Sequence, residues 1–578
     1  MLDRKKIPKC YRIKAGLLYA GVFIIFLALL YQLVRIQILD HRKYHTLALS
    51  QQFKRLEIPT RRGLIFDRNG LKLAESIQVS SVFADPLLIE DRKKTAQVIS
   101  DVLSLNTANV AKLLNSKKRF VWIKRRIEDK HAEAIRRLKL QGIGLRDEYK
   151  RVYPYGELGC HVIGFTDVDE TGLEGVERSL NQTLSGSKGY KVIEKDGHQR
   201  QISTLNEETV SARYGDSIFL TIDYNIQSIV ENELESACLK WRPNSATAIV
   251  MDPSTGEILA MANRPSFNPN FVQSSKQHER RNRAITDCFE PGSLIKPLVV
   301  CGALNSGLVR EDETFFCYNG TYKVRSRVIR DTHPYDYLTV SEIVINSSNI
   351  GMVQLGMLMG KKRLYNQLSN LSFGEKTGIE LPGEAKGIIR PLNRWTADSI
   401  ASIAFGYEMA ATPLQLTTAF CSIANGGTLL RPRIVYAITD FTGEKVKKRY
   451  ELPERIRRVI SPEVARGVMS PILEGVVKEG TGKKAMLFEY RVAGKTGTVK
   501  KLEKIENKMR YSNDKYIGSF IGYAPADKPR ICVLVTLDEP KNGDCYGGTV
   551  AAPVVRDITK RVLRYMRVEP QYIRTVQG

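Results

Sequence analysis

The sequence predicts an α+β fold: a single N-terminal transmembrane helix, a mixed α/β region, and an antiparallel sheet with helices on both faces and a helical subdomain beside it. A long apolar run near the N-terminus predicts the membrane helix. After about residue 210, strands come first, helices are inserted, and strands with a helix close the chain, which favours a helix-covered antiparallel sheet. At 578 residues the chain is too long for one ordinary core, so several domains are expected.

The N-terminal segment predicts the compartment. Residues 1–14 ("MLDRKKIPKCYRIK") are strongly basic, and residues 15–34 are almost wholly apolar. At about 1.5 Å per residue, this run spans roughly 30 Å, the thickness of a hydrocarbon core. A cleaved signal peptide would have a shorter apolar region and a small-x-small site, but "YQLVRIQILDHRKY" follows here. We therefore predict a cytoplasmic head (1–14), a single-pass signal anchor in the inner membrane (15–38) and an exported, periplasmic remainder.

Net charge and cysteine content leave several alternatives open. A formal charge of +26 fits nucleic acid, an anionic membrane surface, an acidic polymer or simply a solvated basic surface. No helix-turn-helix, zinc-finger or RNP-type motif occurs, so no nucleic-acid partner is predicted. Cys10 would be cytoplasmic, and the other eight cysteines would be exported, where disulfides persist. Buried free thiols are an equal alternative, and without a C-x-x-C motif no metal site is predicted.

The exported part changes character near residue 210. Residues 39–209 combine short strands with charged helices and contain neither a nucleophile motif nor a metal-ligand spacing. "SIFLTIDYNIQSIVENELESACLK" then predicts a strand and a helix, and "ATAIVMDPSTGEILAMAN" predicts a hairpin. A mostly helical stretch follows from about 290 to 425, before the strands "KYIGSFIGYAP" and "RICVLVTLDEP" and a closing helix. We therefore predict two exported domains, 39–209 and 210–578.

The spacing S-x-x-K, which places a hydroxyl and an amine one helical turn apart, occurs three times, at Ser185, Ser293 and Ser512. A serine attacking a carbonyl needs a base and donors for the oxyanion. A lysine serves as that base only where burial or a second cation lowers its pKa from about 10.4 to roughly 7–8. Ser185 lies in a Gly-Ser loop and Ser512 in a polar stretch, whereas Ser293 follows a Glu-Pro-Gly turn and precedes an apolar run. Ser293 with Lys296 is therefore the predicted pair.

Two further motifs support this pair. Ser347-x-Asn349 opens an apolar helix, and Lys495-Thr496-Gly497 follows a short alternating strand. The order S-x-x-K, S-x-N, K-T-G is that of serine enzymes acylated by penicillin. A second K-T-G copy at Lys376 lies between a helix and a Pro-Gly turn and is predicted to be a loop.

With these motifs the chain resembles a class B penicillin-binding protein, a peptidoglycan DD-transpeptidase. The resemblance covers nearly the whole chain, through "RRGLIFDRNGLKLA", "RVYPYGELGCHVIGFTD", "MDPSTGEILAMANRPSFNPN", "FEPGSLIKP", "INSSNIGM", "FGEKTGIELPGE", "FGYEMAATPLQL" and "AGKTGT", all in the family's order. It implies an elongated pedestal of the dimerisation type over 39–209. It also implies a transpeptidase domain over 210–578, built on a five-stranded antiparallel sheet like that of serine β-lactamases.

The resemblance also implies residue roles. Ser293 would attack the D-Ala-D-Ala carbonyl of a stem peptide with Lys296 as base. Ser347 would relay the proton to the departing D-Ala, and Asn349 would orient Lys296. Lys495, positively charged, would lower the pKa of Lys296 and, with Thr496, Gly497 and Thr498, bind the substrate carboxylate. The backbone N–H groups of Ser293 and Thr498 would form the oxyanion hole. No metal or other cofactor is required.

Partners and alternatives follow from the same resemblance. It implies the stem peptides of the lipid-linked precursor and nascent glycan as substrates, β-lactams as inhibitors, and a membrane glycosyltransferase and divisome proteins as partners. "RFVWIKRRI" with "LQGIGLRDEYKRVYPYGE" resembles the septal rather than the elongation branch. Leu294-Ile295 and Val499 depart modestly from the family's usual residues.

Two alternative functions remain open. A β-lactamase or β-lactam sensor shares the three motifs but does not usually carry the membrane-proximal domain. A divisome scaffold whose enzyme activity is not required is a further alternative.

Overall fold

The computed structural model describes residues 9–195, 201–202, 209–324, 327–505 and 508–571, so residues 1–8 of the predicted basic head lie outside the described part. The chain divides into two compact units. The first is Met1–Thr60 with Ser187–Arg213, and the second is Arg61–Gly186 with Tyr214–Gly578.

The first unit contains the predicted membrane helix. This helix runs over Lys9–Val34, continues as a π-helical turn, Arg35–Leu39, and is long and apolar enough to cross a membrane. It begins within the basic segment, before the apolar run predicted from Ala15, because lysine and arginine are good helix formers. A helix, His41–Gln52, follows. The unit's described strands form one antiparallel sheet and are Phe53–Ile58, Gly189–Lys195, Gln201–Ile202 and Thr209–Val210.

The second unit begins with a mixed α/β region whose sheet crosses the predicted domain boundary at 209/210. Its strands Ile65–Phe66, Lys72–Ala84, Val121–Ile127 and Ile143–Val152 share a seven-stranded sheet with Ser217–Leu220, Val435–Thr439 and Val446–Arg449. Ile65 pairs in parallel with Ile218, a long-range register that a local sequence pattern cannot indicate. The helices of this region are Arg92–Leu103, Thr107–Leu114, Asp129–Leu138, Cys160–Ile163, Gly175–Ser179 and Asn181–Ser185.

A five-stranded antiparallel sheet forms the centre of the remainder, as predicted. We label its strands β1 (Ser245–Met251), β2 (Ile258–Arg264), β3 (Ala493–Ile505), β4 (Lys508–Ala524) and β5 (Ile531–Asp538), and their spatial order is β2-β1-β5-β4-β3. Strand β3 is therefore an edge strand of this sheet. The predicted Asp-Pro-Ser-Thr-Gly-Glu hairpin joins β1 to β2.

Alternate residues of these strands pack on opposite faces, as the pleat requires. Val533 and Val535 lie in the core beneath helices α1 (Tyr224–Trp241) and α5 (Ala552–Tyr565), whereas Cys532 and Leu534 lie in the core on the other face. That second core contains helices α2 (Lys296–Asn305), α3 (Asn349–Asn370) and α4 (Pro413–Ala424). Helices cover both faces, as predicted.

The predicted helical middle also contains small hairpins. Thr314–Phe316 pairs with Tyr337–Thr339, and Thr321–Val324 pairs with Arg327–Arg330. They are three or four residues long and rich in charged and aromatic residues, and only Thr321–Val324 shows the alternation of polar and apolar residues that predicts a strand. The other regular elements of this half are Pro269–Ser274, Arg283–Thr286, Gly292–Ile295, Tyr318–Gly320, Val340–Ile345, Leu392–Arg394, Ala397–Ala404, Thr428–Leu430, Arg455–Arg458, Glu463–Met469, Ser470–Lys478, Lys483–Ala485 and Gly547–Val550.

The structure favours free thiols over disulfides for the cysteines. All nine lie in the described part of the chain and are free thiols. Cys160, Cys301, Cys317, Cys421 and Cys532 are buried.

Candidate active site

Ser293 lies in a single 3₁₀ turn, Gly292–Ile295, directly before α2. Gly292 has a φ of +52°, a left-handed conformation that glycine adopts without strain, and this allows the abrupt entry into the turn. Leu294 and Ile295 are buried, whereas Ser293 is only partly buried. The turn therefore presents the serine hydroxyl at the edge of an apolar core.

Lys296, one turn later, is completely buried. Its Nζ donates to the Ser347 carbonyl at 2.6 Å, to Asn349 Oδ1 at 2.8 Å and to Ser347 Oγ at 3.3 Å. Burial lowers the pKa of this lysine to about 7, against an opposing contribution from the charge of Asp331. The amine therefore exists in both protonation states near neutral pH.

Among the residues that the structure describes, Ser293 Oγ and Lys296 Nζ form no direct hydrogen bond with each other. Catalytic hydrogen bonds are often long in substrate-free enzymes and shorten in the complex. The lysine instead connects the start of α2 to the S-x-N motif through its hydrogen bonds to Ser347 and Asn349.

Ser347 occupies the turn that precedes α3. Its φ is +58°, a conformation that costs a non-glycine residue free energy and that occurs often at functional sites. This conformation accompanies a carbonyl and a hydroxyl that both accept from Lys296. Ser348 is the N-cap of α3, since its Oγ accepts from Gly351 N at 3.0 Å.

The K-T-G-T segment lies on the edge strand β3, so the backbone groups on its outer side are not used by the sheet. Lys495 is completely buried, and burial together with the charge of Lys296 holds its pKa well below the ordinary value. The hydroxyl of Thr496 lies 2.7 Å from that of Thr481, and Thr498 Oγ1 accepts from Gly547 N at 2.9 Å.

A missing side chain lets β3 approach the serine turn. A Cβ on Gly497 would lie 2.8 Å from Leu294 Cγ, and a Cβ on Gly292 would lie 2.7 Å from Val499 Cγ2. Such distances are shorter than packed carbon atoms allow. The two glycines therefore bring the K-T-G-T strand against the S-x-x-K turn.

The competing motif copies have other partners. Ser185 Oγ donates to the Asn181 carbonyl at 2.7 Å, and Ser512 Oγ donates to Asp514 Oδ1 at 2.7 Å. Lys515 forms an ion pair with Glu503, which raises the pKa of the lysine, the opposite of what a base requires. The second K-T-G copy is a loop, as predicted, in which Glu384 accepts from the backbone and hydroxyl of Thr377.

Sequence reasoning missed Asp331, Thr481 and Gly547, which touch the motif residues. Asp331 lies after an unpredicted hairpin, and Thr481 and Gly547 occur in stretches without a known spacing. Among the residues that the structure describes, no cluster of His, Cys, Asp and Glu could hold a metal ion.

Two family descriptions match this chain. Residues 246–560 match the penicillin-binding protein transpeptidase domain, and residues 57–220 match the penicillin-binding protein dimerisation domain.

Individual relatives match along most of their length. The peptidoglycan D,D-transpeptidase FtsI of Escherichia coli K12 is 36% identical over 90% of this chain and 86% of the relative. Stage V sporulation protein D of Bacillus subtilis is 34% identical over 97% of this chain and 87% of that protein.

Solved structures are similar over the same extent. A peptidoglycan synthetase from Bifidobacterium adolescentis superposes with a TM-score of 0.72 at 27% identity, covering 91% of this chain and 98% of that one. Penicillin-binding protein 3 of Mycobacterium tuberculosis, complexed with aztreonam, superposes with a TM-score of 0.69 at 27% identity, covering 89% and 98%.

Proposed function

The chain belongs to the penicillin-binding protein transpeptidase family, and on that premise we propose that it is a peptidoglycan D,D-transpeptidase that cross-links stem peptides through an acyl-serine intermediate. The observation that carries the proposal is the amine of Lys296. It is completely buried one turn from Ser293, is held by the S-x-N motif, and has its pKa lowered to about 7. A base for a serine hydroxyl needs these properties.

In the proposed acylation, neutral Lys296 removes the proton of Ser293 as the hydroxyl oxygen attacks the D-Ala-D-Ala carbonyl. Backbone N–H groups of Ser293 and Thr498 stabilise the oxyanion, and loss of one such donor typically costs about 10²–10³ in rate. The C–N bond then breaks, and the proton passes through Ser347 to the departing D-Ala. The amide of Asn349 holds the lysine amine in place, as its 2.8 Å hydrogen bond supports.

Lys495, Thr496, Gly497 and Thr498 are the proposed carboxylate site. Their position on an edge strand leaves backbone and hydroxyl groups for the substrate, and Gly497 lets that strand lie against the serine turn. An amine of a second stem peptide then attacks the acyl-serine ester, forms the cross-link and returns Ser293 to its free form. No metal or other cofactor takes part in these steps.

Placement and partners are part of the proposal. We place residues 15–38 in the inner membrane, with a pedestal over 39–209 and a transpeptidase domain over 210–578 in the periplasm. The apolar helix and the two family matches support this division. We assign the chain to septal wall synthesis, with a membrane glycosyltransferase and divisome proteins as partners. The similarity to the E. coli relative supports the septal assignment.

The test uses a fluorescent penicillin on the full-length protein in membranes. We expect one stable label, and peptide mapping should place it on Ser293. A label on Ser185 or Ser512 would contradict the site. Rapid loss of the label with release of the hydrolysed drug would instead favour the β-lactamase alternative, and a Ser293→Ala variant that still supports division would favour the scaffold.

A further inference from the structure

We propose that Asp331, which belongs to none of the three motifs, is a positioning residue of this enzyme: it holds the S-x-N segment against Lys296, and its charge acts on that lysine. The inference rests on the proposed function and adds a residue to the same site.

Asp331 binds the start of α3 with both carboxylate oxygens. Oδ1 accepts from Asn349 N at 2.5 Å and from Ile350 N at 3.1 Å, and Oδ2 accepts from the Ser348 hydroxyl at 2.5 Å. The first N–H groups of a helix have no partners within the helix, and a negative charge there is favourable. This carboxylate therefore fixes where the S-x-N segment begins.

The preceding residue fixes the Asn349 side chain. The Arg330 carbonyl accepts from Asn349 Nδ2 at 2.9 Å, so the amide oxygen is the atom left to accept from Lys296 Nζ. Asp331 is itself anchored, because its N–H donates to the Gly320 carbonyl at 3.1 Å. The end of the strand Arg327–Arg330 thus sets both the position and the orientation of the amide that holds the lysine.

The charge of Asp331 has a second consequence. Among the described residues, two charged groups face Lys296 from neighbouring elements: Asp331, at the hairpin, whose charge acts on this lysine, and Lys495, on β3, whose own pKa is lowered by the charge of Lys296. Burial favours the neutral amine of Lys296, whereas the charge of Asp331 favours its ammonium ion and raises its pKa. A lysine that must take up the proton of Ser293 and later pass it on works best with a pKa near the working pH.

The experiment separates position from charge by measuring acylation rate against pH with a chromogenic cephalosporin. Asp331→Asn keeps an acceptor for the two backbone N–H groups but removes the charge. The acid limb of this profile is the range in which the rate rises as Lys296 loses its proton. Because the pKa of Lys296 falls when the negative charge is lost, this limb should move to lower pH by on the order of one pH unit. Asp331→Ala removes the contacts as well, and its maximal rate should fall at least about tenfold, as expected when a lysine base is misplaced.

Asp91 supplies the matched control. It caps the helix Arg92–Leu103 in the same manner, accepting from Lys94 N at 3.0 Å, in a part of the chain that carries no motif residue. Asp91→Asn and Asp91→Ala should leave the acid limb and the maximal rate unchanged.

The inference would be overturned if the acid limb of the Asp331→Asn profile stayed in place or moved to higher pH. A wild-type acylation rate in Asp331→Ala would overturn it as well. If Asp331→Ala does not fold, the limb of Asp331→Asn decides alone. Failure of the wild-type protein to acylate would instead overturn the proposed function.

Discussion

Lys296 and Lys495 are both completely buried at one site, where like positive charges repel each other. Burial is the largest cause of the lowered pKa of Lys296, and burial together with the charge of Lys296 lowers the pKa of Lys495 further. From the sequence we expected Lys495 to be the charged partner. In the substrate-free protein burial and the charge of Lys296 both lower the pKa of Lys495, which opposes this charged state. A bound carboxylate would reverse this, because an anion stabilises the ammonium form.

Substrate binding should therefore take up a proton. We expect the inactive Ser293→Ala variant to absorb up to one proton on binding a carboxylate-bearing β-lactam near pH 7.5, because the pKa of Lys495 rises beside the anion. Calorimetry in two buffers with different ionisation enthalpies measures this uptake. The methyl ester of the same compound, which has no charge, should cause none, and equal uptake with both compounds would contradict the mechanism.

The two K-T-G copies have the same three residues in different surroundings, so the same substitution in each copy tests which one belongs to the site. Lys495→Ala should lower the acylation rate by orders of magnitude, because carboxylate binding is lost. Lys376 is exposed in a loop, so Lys376→Ala should change the rate by less than roughly tenfold, about 1.4 kcal/mol of barrier. Stopped-flow acylation with a chromogenic cephalosporin compares the two variants, and greater sensitivity at Lys376 would show that the site is assigned wrongly.

At the scale of elements, the parts that carry a strong local pattern could be predicted from the sequence. The apolar run, the Asp-Pro-Ser-Thr-Gly-Glu hairpin, the strands before residue 540 and the closing helix all form as expected. The hairpin before Asp331 could not be predicted, because its strands are only four residues each and only one of them, Thr321–Val324, alternates polar and apolar residues. The same holds for the contact of Gly547 with Thr498, which joins distant segments and depends on tertiary packing.

That contact depends on a close approach between elements. A Cβ on Gly547 would lie 2.2 Å from both the Gly497 and the Ser519 carbonyl oxygens, which are backbone atoms that cannot rotate away. We expect Gly547→Ala to push the segment off β3, to lower the free energy of unfolding by about 1–3 kcal/mol and to slow acylation. Thermal unfolding and acylation rates measure the two effects.

Gly467 provides the control for this substitution, because nothing lies within 4 Å of a Cβ built there. Gly467→Ala should leave acylation unchanged and should not destabilise the protein, since alanine is the better helix former. A Gly547→Ala variant that matches it in both measurements would show that β3 tolerates the displacement.

At the scale of the whole molecule, the apolar N-terminal helix and the three sequence motifs lie in different parts of the chain. The apolar helix belongs to the unit Met1–Thr60 with Ser187–Arg213, whereas the three motifs belong to the unit Arg61–Gly186 with Tyr214–Gly578. Within the second unit, the seven-stranded sheet joins strands from both sides of residue 209. Backbone pairing thus links the dimerisation-domain match to the transpeptidase-domain match.

The assignment to septal synthesis makes a prediction about where the enzyme works in the cell. The three motifs by themselves do not separate the septal from the elongation assignment, so the test has to be made in cells. On depletion of this protein, incorporation of a fluorescent D-amino acid should fall at the septum and persist at the side wall, and cells should elongate without dividing. Expression of the wild-type chain should restore septal labelling, whereas Ser293→Ala, which changes only the proposed nucleophile, should not. Loss of side-wall labelling with normal septa would assign the chain to elongation while leaving its chemistry unchanged.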